Sequence, residues 1–134
     1  RNEADMAKYI RNIHTMENLS RLLINKALLE KHHARNQAAE MKPLDVEVVG
    51  LRVGDFRLVT FPGEVTVPIG LNLKRKSPHD MTFVAGYSNG YIYYCPTAEQ
   101  LKNVGRAQED SDCLLAPEWQ KVFEDKALAI LKNL

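Results

Sequence analysis

The sequence predicts an α/β chain with a long amino-terminal helix, a small mixed sheet of about three strands (a hairpin plus a crossover strand), and two further helices. Three observations carry this. An amphipathic pattern runs without Gly or Pro from the amino terminus to Pro43. Two β-branched, apolar stretches then flank Gly54-Asp55 and read as a hairpin. A strand, helix, strand succession follows across residues 56–87, and such a unit closes as a parallel pair through a right-handed crossover.

The chain has 134 residues, 45% hydrophobic and 26% charged, with a formal net charge of +1. That length suits one domain, 1–134, able to bury roughly two-thirds of its unfolded surface. The charge balance gives no reason to expect a nucleic-acid partner. No apolar run approaches the ~20 residues that cross a bilayer, and no basic, apolar, small-residue succession marks a signal peptide in this segment. The first residue is Arg1 rather than an initiating Met, which suggests an excerpt from a longer polypeptide.

In order, Asn2 is a good N-cap, and Glu3 and Asp5 complement the positive first turn of a helix. Met6, Ile10, Ile13, Met16, Leu19, Leu23, Ala27 and Leu28 then step by threes and fours. One helix over about 3–37 is expected, with bending near residues 15–20 where helix propensity dips. Lys31, His32, His33 and Arg35 place positive charge at its negative end. Adjacent helical residues point about 100° apart, so the His pair is read as two solvated side chains and not as a metal grip. His14 and His79 are read the same way. Residues 44–53 alternate apolar and polar, and residues 56–61 are continuously apolar enough to be the more central strand.

Phe61-Pro62-Gly63-Glu64 then makes a sharp corner. Val67, Ile69, Leu71 and Leu73, closed by Lys74, Arg75 and Lys76, mark a short helix that tolerates Pro68 in its first turn. Residues 77–80 break it, and residues 81–87 read as the next strand. Residues 91–97, YIYYCPT, form an aromatic loop or short extended segment. Residues 98–117 read as an irregular excursion with one helical turn near 98–104. Trp119, Val122, Phe123, Ala127, Ile130 and Leu131 return to helical spacing over 118–134, with Trp119 and Phe123 as core anchors. Cys95 and Cys113 lack metal-site spacing and are either two buried thiols or one disulfide.

The chain contains no GxGxxG, GxxxxGK[ST], GxSxG or HExxH. What remains is convergence. Ligands sit beyond the carboxyl ends of strands in open α/β sheets, and Glu64 and Tyr91 follow two strands expected to be parallel neighbours. A carboxylate and a phenol at one edge can bind a metal, hold a substrate hydroxyl, or act as an acid and base pair. The structural alternative is that Glu64 complements the helix dipole while Tyr91 packs its ring and bonds a backbone carbonyl.

Residues 50–78, GLRVGDFRLVTFPGEVTVPIGLNLKRKSP, followed by residues 82–97, TFVAGYSNGYIYYCPT, resemble the carboxyl-terminal part of the catalytic domain of neutral/alkaline (non-lysosomal) ceramidases and their bacterial ceramidase-like relatives. The resemblance rests on a PGE or PAE corner and an NxY close after the next strand. It implies a zinc-dependent hydrolase of sphingolipid metabolism, secreted or periplasmic, that cleaves the N-acyl amide of ceramide. Glu64 and Tyr91 would be zinc ligands, completed by histidines outside this chain. Asn89, Tyr94 and Thr97 are further candidates for substrate binding. The implied partners are the remainder of the same polypeptide and a lipid amide substrate, and the chain by itself would be inactive. Apolar sheet surface left open in such a piece would favour a homodimer. The rival expectation is a non-catalytic interaction module presenting the edge of Tyr87, Tyr91, Tyr93 and Tyr94, since tyrosine suits interfaces.

Overall fold

The computed structural model describes residues 2–40, 42–105, 107 and 112–134. The chain divides into two compact units, Arg1–Lys42 and Pro43–Leu134. The first is a single helix, α1, Asn2–Ala38, with Glu3 and Asp5 in its first turn and Arg35 in its last. It is unbroken where bending was expected. The Thr15 hydroxyl donates to the Arg11 carbonyl one turn back at 2.9 Å, so this poor helix former satisfies its polar atom inside the helix.

The second unit is the α/β part. Strands β1 (Gly50–Val53) and β2 (Phe56–Thr60) pair antiparallel, with Leu51 opposite Leu58 and Val53 opposite Phe56. Gly54 takes φ +58°, which a two-residue hairpin turn requires at its first central position. Strand β3 is only Glu64–Val65, helix α2 is Val67–Lys76, and β4 is Thr82–Ala85. β4 pairs parallel to β2, giving the order β1-β2-β4 with the most apolar strand in the centre. The expected mixed sheet and crossover are present. Both outer strands are shorter than predicted: residues 44–48 run outside the ladder, although Val46 and Val48 still pack on the core. A second sheet, not foreseen, pairs β3 in parallel with β5 (Tyr94–Cys95), placing Glu64 opposite Tyr94 and Val65 opposite Cys95.

The excursion contains one short 3₁₀ turn, Gln100–Lys102; its residues 106 and 108–111 lie outside the described residues. Helix α3, Trp119–Lys132, closes the chain. α2 and α3 cover one sheet face, burying Val59, Phe61, Ile69, Leu73, Trp119, Phe123, Ala127 and Leu131 together. Trp119 satisfies its indole N–H on the Pro96 carbonyl at 3.0 Å, so the predicted anchor also ties down the end of β5. His79, expected in solvent, is half-buried and donates from Nε2 to the Leu131 carbonyl at 2.9 Å, pinning the turn before β4 to α3.

The two helices are clasped by Glu124, a buried carboxylate on α3. Asn72 and Lys76 of α2 donate to its Oε2, at 2.5 and 3.2 Å, and Gln120 donates to Oε1 at 2.8 Å. Burial opposes its charge, but these three donors outweigh burial and hold its pKa below the ordinary 4.5. A depressed folded-state pKa contributes stability that is fully present above about 4.5 and lost as pH falls through the folded value. Glu124→Ala is expected to cost about 1–3 kcal/mol at neutral pH. Urea denaturation between neutral and acid pH should show that cost shrinking as the wild-type carboxylate protonates.

Candidate functional site

The site begins with a close crossing of backbones at the end of β2. Gly63 is buried, and a Cβ there would stand 2.5 Å from Cys95 Sγ, 3.1 Å from Ile92 Cγ1 and 3.1 Å from the Tyr93 carbonyl oxygen. A Cβ on Gly86 would meet the Gly63 carbonyl oxygen at 2.9 Å. A side chain at Gly63 would have to displace the Cys95 thiol, and one at Gly86 would have to push back the Gly63 carbonyl. Four amides lock the crossing: Tyr87 N–H donates to the Gly63 carbonyl, Ser88 N–H to Phe61, Ile92 N–H to Pro62 and Glu64 N–H to Tyr93, all between 2.8 and 3.1 Å.

The loop that wraps this corner carries backbone strain. Tyr87, Asn89 and Tyr93 take φ +54°, +62° and +66°. Asn tolerates that region, but two tyrosines there are outliers, and such strain persists only where surrounding structure over-determines it. The consequence is a set of phenols gathered on one carboxylate. The Tyr91 hydroxyl donates to Glu64 Oε1. The Tyr87 and Tyr91 rings stack 5.8 Å apart at 7°, and Tyr93 packs on Tyr91 at 5.2 Å. The parallel register sets Tyr94 directly beside Glu64 on the same face of the two-stranded sheet.

Hydrogen bonding to Glu64 raises the Tyr87 pKa to about 12, with burial and the like charge of the carboxylate adding to it, and the same causes push Tyr91 higher still. Both phenols are therefore protonated donors at neutral pH. Glu64 does not stand in the first turn of α2, which has no acidic residue there; it belongs to β3, and Thr66 is the helix N-cap. The helix-dipole explanation of this carboxylate is thereby set aside.

Of the five residues singled out from the sequence, the structure brings Glu64, Tyr91 and Tyr94 together. Asn89 donates to Glu47 Oε2 at 3.3 Å. Thr97 serves its own turn: its hydroxyl accepts from Gln100 N–H at 3.1 Å while its N–H donates to Gln100 Oε1 at 2.9 Å, a reciprocal cap. Tyr87 was placed only in the aromatic edge of the rival module, and its bond to the carboxylate went unread. The signal was the density of tyrosine on either side of Asn89-Gly90. Cys95 and Cys113 are free thiols, not a disulfide. Burial pushes the Cys95 thiol up to about 12 and raises Cys113 as well.

As a metal-binding arrangement, Glu64 and Tyr91 are two hard oxygen donors already in contact. They fit part of a zinc shell, which takes three protein ligands in catalytic sites. Among the described residues no three of His, Cys, Asp and Glu converge to complete one.

Stability from the Tyr87 and Tyr91 protons is present below the ordinary value of 10.0 and is lost as pH rises through the folded values. Ultraviolet titration should find two tyrosines ionising at about pH 12 or above, and Glu64→Gln should return both toward 10.0. Gly63→Ala should destabilise the fold by about 1–3 kcal/mol or more, read by thermal melting.

No protein-family model matches the chain, and no curated protein does. Solved structures do. A structure described as a ceramidase complexed with C2 is 26% identical with a TM-score of 0.52, covering 65% of this chain and 15% of that one. The neutral ceramidase from Pseudomonas aeruginosa is also 26% identical over the same shares, with a TM-score of 0.49. The chain thus spans 15% of the length of the ceramidases it matches. The relationship suggested by the PGE corner and the NxY segment stands in three dimensions: over 65% of its length this chain is similar in fold to a ceramidase.

Proposed function

We propose that this chain is a portion of a ceramidase-like, zinc-dependent amidase hydrolysing the N-acyl amide of a lipid, and that it supplies Glu64 and Tyr91 to the metal site. The observation that carries the reading is the Tyr91–Glu64 contact, held at a strained corner of a ceramidase-like fold. When bound, zinc would supply Lewis acidity toward the amide carbonyl and a water whose pKa is lowered to about 7. The chain's own residues do the rest. Glu64 contributes a fixed negative charge, because β3 is paired on one side and Gly63 allows no slack behind it. Glu64 and Tyr91 would hold the ion together, Tyr91 as phenolate with its proton released to solvent, because a cation beside a phenol favours its ionised form. Tyr94, in register with Glu64, is the best placed of the substrate contacts; Asn89 lies beyond it in the loop, and Thr97 contributes through the turn it caps.

Two donors make half a site, so the chain alone is inactive and the remaining ligands and the lipid-binding surface come from the rest of the same polypeptide, in a secreted or periplasmic setting. Among the described residues no helix is long and apolar enough to cross a membrane. A second reading has one observation in its favour: the stacked Tyr87 and Tyr91 rings are exposed, as a partner-binding aromatic edge would be.

Metal analysis and hydrolysis of a fluorescent N-acyl sphingosine decide between them. In the parent protein, about one zinc per chain and amide cleavage are expected. Glu64→Gln and Tyr91→Phe should each lose at least 100-fold in activity, more than the 10–100-fold typical of residues that only support ligands. Full activity and metal content in Glu64→Gln would remove Glu64 from the shell. A parent without metal or activity would leave the interaction module.

A further inference from the structure

Two tyrosines reach the Glu64 carboxylate, and their ties to the corner differ. Tyr91 bonds Oε1, and the chain beside it is fastened through Ile92, whose N–H donates to the Pro62 carbonyl at 2.8 Å. Tyr87 is fastened to the residue before the carboxylate: its own N–H donates to the Gly63 carbonyl at 3.1 Å, and the next amide, Ser88 N–H, donates to the Phe61 carbonyl at the same distance. The bare Gly86 makes that approach possible, since a Cβ there would meet the Gly63 carbonyl oxygen at 2.9 Å. Any shift of the Gly63-Glu64 peptide therefore carries Tyr87 with it. The Tyr87 side chain then returns to the same residue, donating its hydroxyl to the Glu64 carboxylate. Its ring lies parallel to that of Tyr91, 5.8 Å away at 7°. Tyr87 holds this place in a left-handed backbone, φ +54°, which Gly or Asn adopts far more readily than tyrosine. Burial within this chain does not offset that strain, because Tyr87 is 63% exposed. A stacked ring alone would be served as well by phenylalanine. What tyrosine adds is the hydroxyl on Glu64.

We propose that Tyr87 is a positioning residue for Glu64, holding the carboxylate in one orientation while Glu64 and Tyr91 act as the metal ligands. The inference rests on the zinc reading of those two residues. The last torsion of a glutamate side chain is broad, so an unheld carboxylate turns freely and offers a metal one oxygen or two. A single phenol cannot both ligate and hold: as a ligand it gives up its proton, and as a hydrogen-bond donor to a carboxylate it keeps it. The two tyrosines divide those tasks. Tyr91 leaves its bond to Glu64 when it becomes a ligand, and Tyr87 remains as a neutral donor that adds no charge to the shell. Its amide on Gly63 and its hydroxyl on Glu64 bracket the carboxylate from main chain and side chain together. Outer hydrogen bonds of this kind orient metal-ligating carboxylates, and losing one weakens metal binding or activity by about 10–100-fold.

Zinc affinity of the parent protein, read by competition with a chelator, tests this beside thermal melting of the zinc-free form. Tyr87→Phe keeps the ring and the backbone conformation and deletes only the hydroxyl. It is expected to weaken zinc binding about 10–100-fold with little change in zinc-free melting. Added to Glu64→Gln it should weaken binding no further, because the hydroxyl acts through the carboxylate. Undiminished zinc affinity in Tyr87→Phe, with Glu64→Gln impaired, would overturn the inference and leave the zinc reading standing. A loss as deep as that of Tyr91→Phe would make Tyr87 a ligand, and lowered zinc-free melting with unchanged affinity would make it a packing residue; either outcome overturns it. A parent that binds no zinc would remove the zinc reading and this inference together. Should Tyr87→Phe fail to fold, Tyr87→Asn, which suits the left-handed backbone, carries the same measurements.

Discussion

The contact on which the rest depends is the passage of Gly63 against Cys95, Ile92 and the Tyr93 carbonyl. A chain leaving a parallel strand normally climbs away from the sheet edge. Here it stays, because Pro62 offers its carbonyl to Ile92 and Gly63 offers its carbonyl to both Val65 and Tyr87. The absence of a Cβ brings two backbone segments within hydrogen-bonding reach, and that reach creates β3 and β5. Once β3 exists, Glu64 is fixed in register with Tyr94, and α2 must start at Val67. The far end of α2 is then held by the Glu124 clasp and by His79 on Leu131. The corner is thus anchored from both ends of the crossover.

Electrostatics at the corner follow from that geometry. The Glu64 carboxylate is ringed by phenols, and Tyr87 and Tyr91 both donate to it. Each phenol is held protonated by the same carboxylate that accepts its hydrogen bond. Nothing in this arrangement drives chemistry by itself.

Much of this was legible beforehand. The long helix, the hairpin, the crossover and the convergence of Glu64 with Tyr91 followed from periodicity, Gly54-Asp55 and parallel topology. Two things were not. Strands of two residues, such as Glu64–Val65 and Tyr94–Cys95, are too short for alternation to reveal, and they exist because of tertiary contact rather than propensity. The left-handed conformations of Tyr87 and Tyr93 run against what tyrosine prefers, so Tyr87 could not be aimed at Glu64 from its sequence position. His79 was misjudged for a similar reason: its partner, the Leu131 carbonyl, lies 52 residues away and belongs to the end of a helix.

Strand β2 shows how one short segment serves several demands. Its residues alternate: Arg57 and Val59 turn toward the helices, Phe56 and Leu58 toward the opposite face, and the chain then runs through Phe61 and Pro62 into the Gly63-Glu64 corner. Because the period is two, a slip of one residue in the pairing with β1 or β4 would exchange core and opposite face together. It would also displace Glu64 from Tyr94 by a strand step of about 3.3 Å. The register of a five-residue strand therefore sets the core, the apolar residues of the opposite face and the position of the carboxylate at once. That common dependence explains why the ends of the crossover are fastened so heavily: each fastening defends the register, and the register defends the site.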